Sequence, residues 1–156
     1  MSSGVAATVR LASADDAADV GQLLHDFNTE FSEFTPGPEA LAERLPRLLA
    51  GGDAVILLAG DGPDGIALIR FRRSIWTDAI DAYLEELYVA PAQRGKGLGR
   101  ALLETAMETA RGRGATFMDL GTSEDDTAAR GLYESSGFTN LEGEDGPVML
   151  VYERDL

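Results

Sequence analysis

The residues best suited to chemistry lie together in one segment, Leu87-Tyr88-Val89-Ala90-Pro91-Ala92-Gln93-Arg94-Gly95-Lys96-Gly97-Leu98-Gly99-Arg100-Ala101-Leu102-Leu103. An apolar strand runs into a loop rich in glycine and cations, and the loop opens into a helix. Amides at the start of a helix lack intrahelical partners, and the helix dipole makes that end positive. Glycine lets a phosphate approach such amides closely. Arg94, Lys96 and Arg100 add mobile positive charge. The chemistry implied is the holding of a di-anion such as a pyrophosphate. A few residues upstream, Glu85 and Glu86 are carboxylates that could take up a proton.

Two familiar phosphate loops do not fit. A Walker-type loop requires Lys followed by Ser or Thr, whereas Gly97 follows Lys96. A dinucleotide fingerprint, G-x-G-x-x-G, requires a longer last spacing and a place in the first βαβ unit; Gly95-Lys96-Gly97-Leu98-Gly99 lies in mid-chain. These mismatches count against a nucleotide-binding regulatory domain. The pattern that fits is Arg/Gln-x-x-Gly-x-Gly/Ala, met by Arg94 to Gly99.

The elements that must position this segment can be read from periodicity. Thr8 to Ala12 reads as a first strand. Ser13-Ala14-Asp15-Asp16 outlines a capping box. The helix after it places Val20, Leu23, Leu24, Phe27 and Phe31 on one face. Pro38 suits the first turn of a second helix carrying Leu41, Leu45, Leu48 and Leu49, closed by Gly51-Gly52. Ala54 to Ala59 is a continuous apolar run, as for a strand buried on both faces. A turn over Asp61 to Gly65 returns the chain as a strand from Ile66 to Phe71. Arg72 to Thr77 is a loop, and Tyr83 to Val89 is the strand before the glycines. A helix from Gly97 to Arg111, with Leu98, Ala101, Leu102 and Thr105 on one side, leads to a parallel strand, Phe117 to Leu120. Ser123 is expected to cap a helix ending at Gly137, and Pro147 to Arg154 to form a last strand. Periodicity alone gives an α/β fold with one mixed sheet.

From about Leu84 to Phe138 the chain resembles the GNAT superfamily of N-acetyltransferases. The resemblance rests on the strand Glu85-Glu86-Leu87-Tyr88-Val89, the glycine loop, the helix after it, the strand Thr116 to Leu120, and the element Ala129-Arg130-Gly131-Leu132-Tyr133-Glu134-Ser135-Ser136-Gly137-Phe138. It implies a GNAT fold over residues 1–156 as one domain. The sheet would be single, mixed, mostly antiparallel and six- or seven-stranded. About four helices would flank it, and the fourth and fifth strands would splay apart. The implied co-substrate is acetyl-coenzyme A. Its pyrophosphate would lie on Arg94, Gly95, Lys96, Gly97, Leu98, Gly99 and Arg100, and its pantetheine arm along the main chain of Leu87, Tyr88 and Val89. The resemblance also implies a bulge that exposes the Val89 amide as oxyanion donor.

Acetyl transfer from a thioester to an amine needs a base for the amine proton, a donor for the oxyanion and a proton for the departing thiolate. The resemblance makes Tyr133 the acid. Glu86 is the candidate base, with Glu85 in reserve and Tyr83 as a further position. Glu85 shares a face with Leu87 and Val89 on strict alternation, Glu86 with Tyr88, and a bulge would shift that phase. The family often has Asn three residues before Ala129. Here Asp126 stands there, which leaves a cofactor contact or a helix-capping role open.

Composition sets outer limits. The chain has 156 residues and no cysteine, which excludes disulfides, thiolate zinc sites and a Cys-acyl intermediate. A single histidine argues against a histidine-rich metal site, so no metal is expected. No apolar run is long enough to span a bilayer, and Met1-Ser2-Ser3-Gly4-Val5 lacks signal-peptide features, so cytoplasmic residence is the default expectation. Net charge is −14, with 27 acidic and 13 basic residues. Such a chain repels nucleic acid and anionic membrane in general and attracts cations. The resemblance puts the acceptor among the first two helices and the loop after the third strand. Acidic and aromatic residues interleave there: His25, Asp26, Asn28, Glu30, Phe31, Glu33, Phe34, Trp76, Asp78 and Asp81. The expected acceptor is therefore a cationic amine of aminoglycoside or polyamine type, and the pattern around Glu86 and Asp125-Asp126 is similar to that of aminoglycoside 3-N-acetyltransferases. A protein or peptide amine is the alternative, as is a non-catalytic module that senses acyl-coenzyme A. Dimers are common in the family, so a homodimer is a further expectation.

Overall fold

The computed structural model describes residues 8–156, so the segment read for signal-peptide features lies outside the described residues. The chain forms two compact units, 1–120 and 121–156.

In the first unit, β1 (Val9–Leu11), β2 (Ala54–Ala59), β3 (Gly65–Arg73), β4 (Ile80–Val89) and β5 (Ala115–Leu120) form one sheet in chain order. The first three pairings are antiparallel and the last, β4 with β5, is parallel. Direct turns join β2 to β3 and β3 to β4, whereas two helices stand between β1 and β2. The parallel pair needs a crossover, which α3 (Leu98–Gly112) supplies.

Alternation along β2 sorts the core into two layers. Ala54, Ile56 and Leu58 join Ile66, Leu68 and Tyr88 under Val20, Leu23 and Leu45. The last three belong to α1 (Ala17–Glu30) and α2 (Pro38–Ala50). Val55, Leu57, Ala67 and Ile69 are buried on the other face, which α3 covers with Leu98, Leu102, Leu103 and Ala106. The buried stripe of α3 thus runs through Leu103 and Ala106 rather than Ala101 and Thr105.

The capping box at Ser13 and Asp16 forms as expected and starts a short 3-10 turn ahead of α1. Pro38 opens α2. The two helices pack so tightly that a Cβ on Gly21 would strike the Pro38 carbonyl. Phe31 departs from the expected core face. It caps α1, lies 48% exposed and touches Phe27 edge-on.

The second unit is built on α4 (Thr127–Ser135). Its N-cap is Asp126 rather than Ser123, whose carbonyl instead accepts the Asp126 amide in a preceding turn. The expected strand from Pro147 to Arg154 does not form. One bridge, Leu141 to Val148, is made, and Met149 to Tyr152 stay exposed. A strand requires a continuous partner for its amides and carbonyls. Among the described residues the sheet therefore has five strands, fewer than the six or seven expected.

Candidate active site

The site begins where β4 leaves its neighbours. Leu84 pairs with Leu120, the last residue of β5, and β4 continues to Val89 with no strand on that side among the described residues. This is the expected splay between the fourth and fifth strands. Backbone groups of Glu85 to Val89 that face the gap are free of a strand partner, as a ligand lying along the strand requires.

A bulge sets the side chains. Opposite β3, Leu84 faces Ile69 and Glu86 faces Leu68, leaving Glu85 as the extra residue. Residues directly opposite share a face. Leu84 therefore points to the α3 side and Glu86 to the α1–α2 side, although they are only two positions apart. The bulge lies at Glu85, not at Val89, which pairs in register with Gly65.

The two candidate bases have different surroundings. Glu85 Oε2 accepts a hydrogen bond from Arg70 Nε at 2.6 Å. Glu86 has no hydrogen-bond or ion-pair partner among the described residues. Burial, reinforced by the charge of Glu85, pushes the Glu86 carboxyl up to about 7. Both line a cavity of ≈ 440 Å³ between the sheet and helices α1 and α2. Leu24, Leu41, Leu45, Leu48, Ile56 and Leu68 make its apolar wall; Asn28, Arg44, Arg47, Asp53 and Arg70 add polar groups.

The glycine loop has the geometry of an anion site. Gly95 and Gly97 adopt φ of 78° and 85°, in the left-handed region that costs an L side chain roughly 1–2 kcal/mol. No heavy atom lies within 4 Å of a Cβ built on either, so their faces are open. The amides of Gly95, Leu98 and Gly99 have no hydrogen-bond partner among the described residues, and no side chain caps α3. Lys96 Nζ rests on Gln93 Oε1 at 2.9 Å.

Arg94, expected as a free cation of the loop, is engaged within the protein. Its Nε donates to the Val89 carbonyl at 3.0 Å, and a terminal nitrogen donates to Glu30 Oε1 at 2.8 Å. The Tyr88 hydroxyl donates to the same oxygen at 3.0 Å, and the Tyr88 ring stacks on Phe27 at 4.8 Å. Burial and Glu30 together push the Tyr88 phenol up to about 12. Glu30, at the end of α1, thus ties the strand end to the start of the loop. Spacing along the chain carries no signal of this link, because the partners are 58 and 64 residues apart.

In the second unit, Tyr133 meets Phe138 edge-on at 6.0 Å. Burial first, then the charge of Asp126, pushes its phenol up to about 12, so it holds its proton at neutral pH. Asp126 Oδ1 accepts from the Ala129 amide at 3.1 Å, which gives the Asp126 side chain a helix-capping role.

The acidic and aromatic residues singled out in the sequence do not gather around the cavity; only Asn28 lines it. Asp26 accepts from Gln22, Asp81 pairs with Arg72, and Glu30 serves Tyr88 and Arg94. His25 shares a hydrogen bond with the Thr35 hydroxyl at 3.0 Å. Phe34 and Trp76 are almost fully exposed.

Comparison with known proteins adds a family. The model described as "Acetyltransferase (GNAT) family" matches residues 20–138. A mycothiol acetyltransferase of Beutenbergia cavernae is 38% identical over 89 residues, covering 55% of this chain and 29% of that protein. An aminoglycoside N(6')-acetyltransferase type 1 of Klebsiella aerogenes is 35% identical over 107 residues, covering 65% of this chain and 69% of the other. The crystal structure of a candidate acetyltransferase from Arthrobacter sp. FB24 superimposes with a TM-score of 0.90 at 46% identity, covering all of both chains.

Proposed function

The chain belongs to the GNAT family of acetyltransferases, and on that premise we propose that it transfers the acetyl group of acetyl-coenzyme A to a primary amine. The observation that carries the proposal is Glu86, a carboxylate without a partner, held near 7 on the wall of a cavity beside the open edge of β4. A base of that pKa is ionised for a large part of the time at neutral pH and still takes a proton readily. Glu85 is a weaker candidate because Arg70 already occupies it.

The pyrophosphate binds the amides of the glycine loop, and the pantetheine arm runs along Leu87, Tyr88 and Val89. Glu86 takes a proton from the acceptor ammonium, directly or through a water. The amine nitrogen attacks the thioester carbonyl, whose oxygen becomes an oxyanion stabilised by the Val89 N–H. Collapse breaks the carbon–sulfur bond, and Tyr133 protonates the departing thiolate. The second amine proton, lost as the intermediate collapses, restores Tyr133, and Glu86 returns its proton to solvent; amine and acetyl-coenzyme A thereby give acetylated amine, free coenzyme A and one released proton.

The test is coenzyme A release by wild type and by Glu86→Gln and Tyr133→Phe, with acetyl-coenzyme A binding measured separately. Glu86→Gln is expected to lower kcat/KM about 100-fold, the effect of a lost general base. Binding of acetyl-coenzyme A should persist. A full rate in Glu86→Gln would remove this carboxylate from the mechanism. Binding without release for any amine would favour a module that senses acyl-coenzyme A.

A further inference from the structure

The charged lining of the cavity at Glu86 is balanced, three arginines to three carboxylates, in a chain that is otherwise strongly acidic. The protein carries 27 acidic and 13 basic residues, so carboxylates should dominate an average lining. Here Arg44, Arg47 and Arg70 face Asp53, Glu85 and Glu86. Arg70 and Glu85 neutralise each other at 2.6 Å. Glu86 is half protonated near pH 7. Apart from Glu86, the proposed base, what remains is Asp53 beside two arginines. Neither Arg44 nor Arg47 has a hydrogen-bond or ion-pair partner among the described residues.

Arg44 and Arg47 are three positions apart on α2, so their stems lie side by side on the helix surface. Arg47 sits in the last turn, where a cation also suits the helix dipole. Arg44 is mid-helix and has no such role. Two neighbouring guanidiniums offer forked donors matched to a carboxylate. A polyamine or aminoglycoside would instead bring several ammonium groups against them. The cavity volume, ≈ 440 Å³, suits a molecule of amino-acid or dipeptide size.

We propose that the acceptor is a small primary amine that also carries a carboxylate, with Arg44 and Arg47 holding the carboxylate and Glu86 receiving the amine proton. This departs from the polyamine- or aminoglycoside-type acceptor expected from composition, and it rests on the acetyltransferase reading above. Arg44 and Arg47 are specificity-determining residues: they touch the acceptor's carboxylate and take no part in bond making.

The experiment is coenzyme A release from acetyl-coenzyme A by the full chain, with matched acceptors. The panel is a set of amino acids and dipeptides, their C-terminal amides, O-phosphoethanolamine, spermidine and an aminoglycoside. Wild type should use at least one carboxylate-bearing amine with kcat/KM ten-fold or more above its amide. Arg44→Gln and Arg47→Gln should raise KM for that acceptor about ten-fold, the order of a lost charge-assisted hydrogen bond, with a much smaller change in kcat. Arg44→Lys should recover part of the loss. Because both side chains are exposed, the variants should melt with wild type. Preference for the amide, spermidine or the aminoglycoside would overturn the proposal and leave the transferase standing. Preference for O-phosphoethanolamine would overturn the carboxylate assignment. Absence of release with every amine, while acetyl-coenzyme A binds, would overturn the transferase reading and this inference with it.

Discussion

At the residue scale, adjacent carboxylates differ because one has a guanidinium and the other does not. Sequence offered Glu86 as the base with Glu85 in reserve, and alternation along the strand did not separate them. The distinction comes from Arg70, fifteen residues away, which meets Glu85 across the β3–β4 pairing. The Glu86 value near 7 has two consequences. As a base it works only when ionised, so kcat/KM should rise with pH and level off above about 7, and Glu86→Gln should lose that limb. A pH–rate profile checks this. The stability effect has the opposite sign. The unfolded chain ionises this group near 4.5 and the folded one near 7, so the folded state binds the extra proton between those values. That contribution to stability is present below 4.5 and lost as pH rises through 7. Melting at pH 5 and pH 8 should show Glu86→Gln gaining most over wild type at pH 8. Tyr133, held near 12, should stay protonated across the working range, and Tyr133→Phe should lower kcat about ten-fold or more without weakening acetyl-coenzyme A binding.

At the element scale, three segments were legible in order and type: the two helices after Ser13, the buried strand Ala54–Ala59, and the strand–loop–helix unit around Gly95. Their signals are local: a capping box, Pro at a helix start, an apolar run and positive-φ glycines. A bulge in this strand was expected from the resemblance at Val89; its place at Glu85 was not legible, because an inserted residue leaves no mark on hydropathy. The link from Glu30 to Tyr88 and Arg94 was not legible at all. It holds the Arg94 guanidinium against the strand end and Glu30, and on the proposed reading Arg94 positions the loop while the backbone amides take the phosphates. Glu30→Gln and Arg94→Gln should each raise KM for acetyl-coenzyme A several-fold, and the double variant should be little worse than either single one, since partners in one network are not additive. Steady-state kinetics of the four proteins decides this. An additive double variant would return Arg94 to direct pyrophosphate binding. Replacing Gly97 by Val should weaken acetyl-coenzyme A binding more, by straining a φ of 85° and covering the open face.

At the scale of the whole molecule, the family and the sheet order followed from the motif between Leu84 and Phe138, and the family match to residues 20–138 extends that stretch toward the N-terminus. The strand at Pro147 was misread because its apolar residues suit a strand, while strand formation depends on a partner that hydropathy does not encode. Net charge of −14 suggested a cationic acceptor, yet global charge says little about one cavity, whose lining carries as many arginines as carboxylates. Charge also shapes stability. Self-repulsion at neutral pH acts with Glu86 to favour the mildly acidic range. On the acid side Asp16 is held at about 2, by the hydrogen bond from Arg10 first and the Ser13 amide next. Its contribution is present above its ordinary 3.8 and lost as pH falls through 2. Among the described residues no helix is long and apolar enough to cross a membrane. The measurement that tests the central claim most directly is coenzyme A release from acetyl-coenzyme A across an amine panel, read with a thiol reagent that a chain without cysteine leaves silent, for wild type beside Glu86→Gln. Amine-dependent release that rises with pH through about 7 in wild type and falls about 100-fold in the variant is the expected result. Equal release by both proteins, or no release by wild type that binds acetyl-coenzyme A, would contradict it.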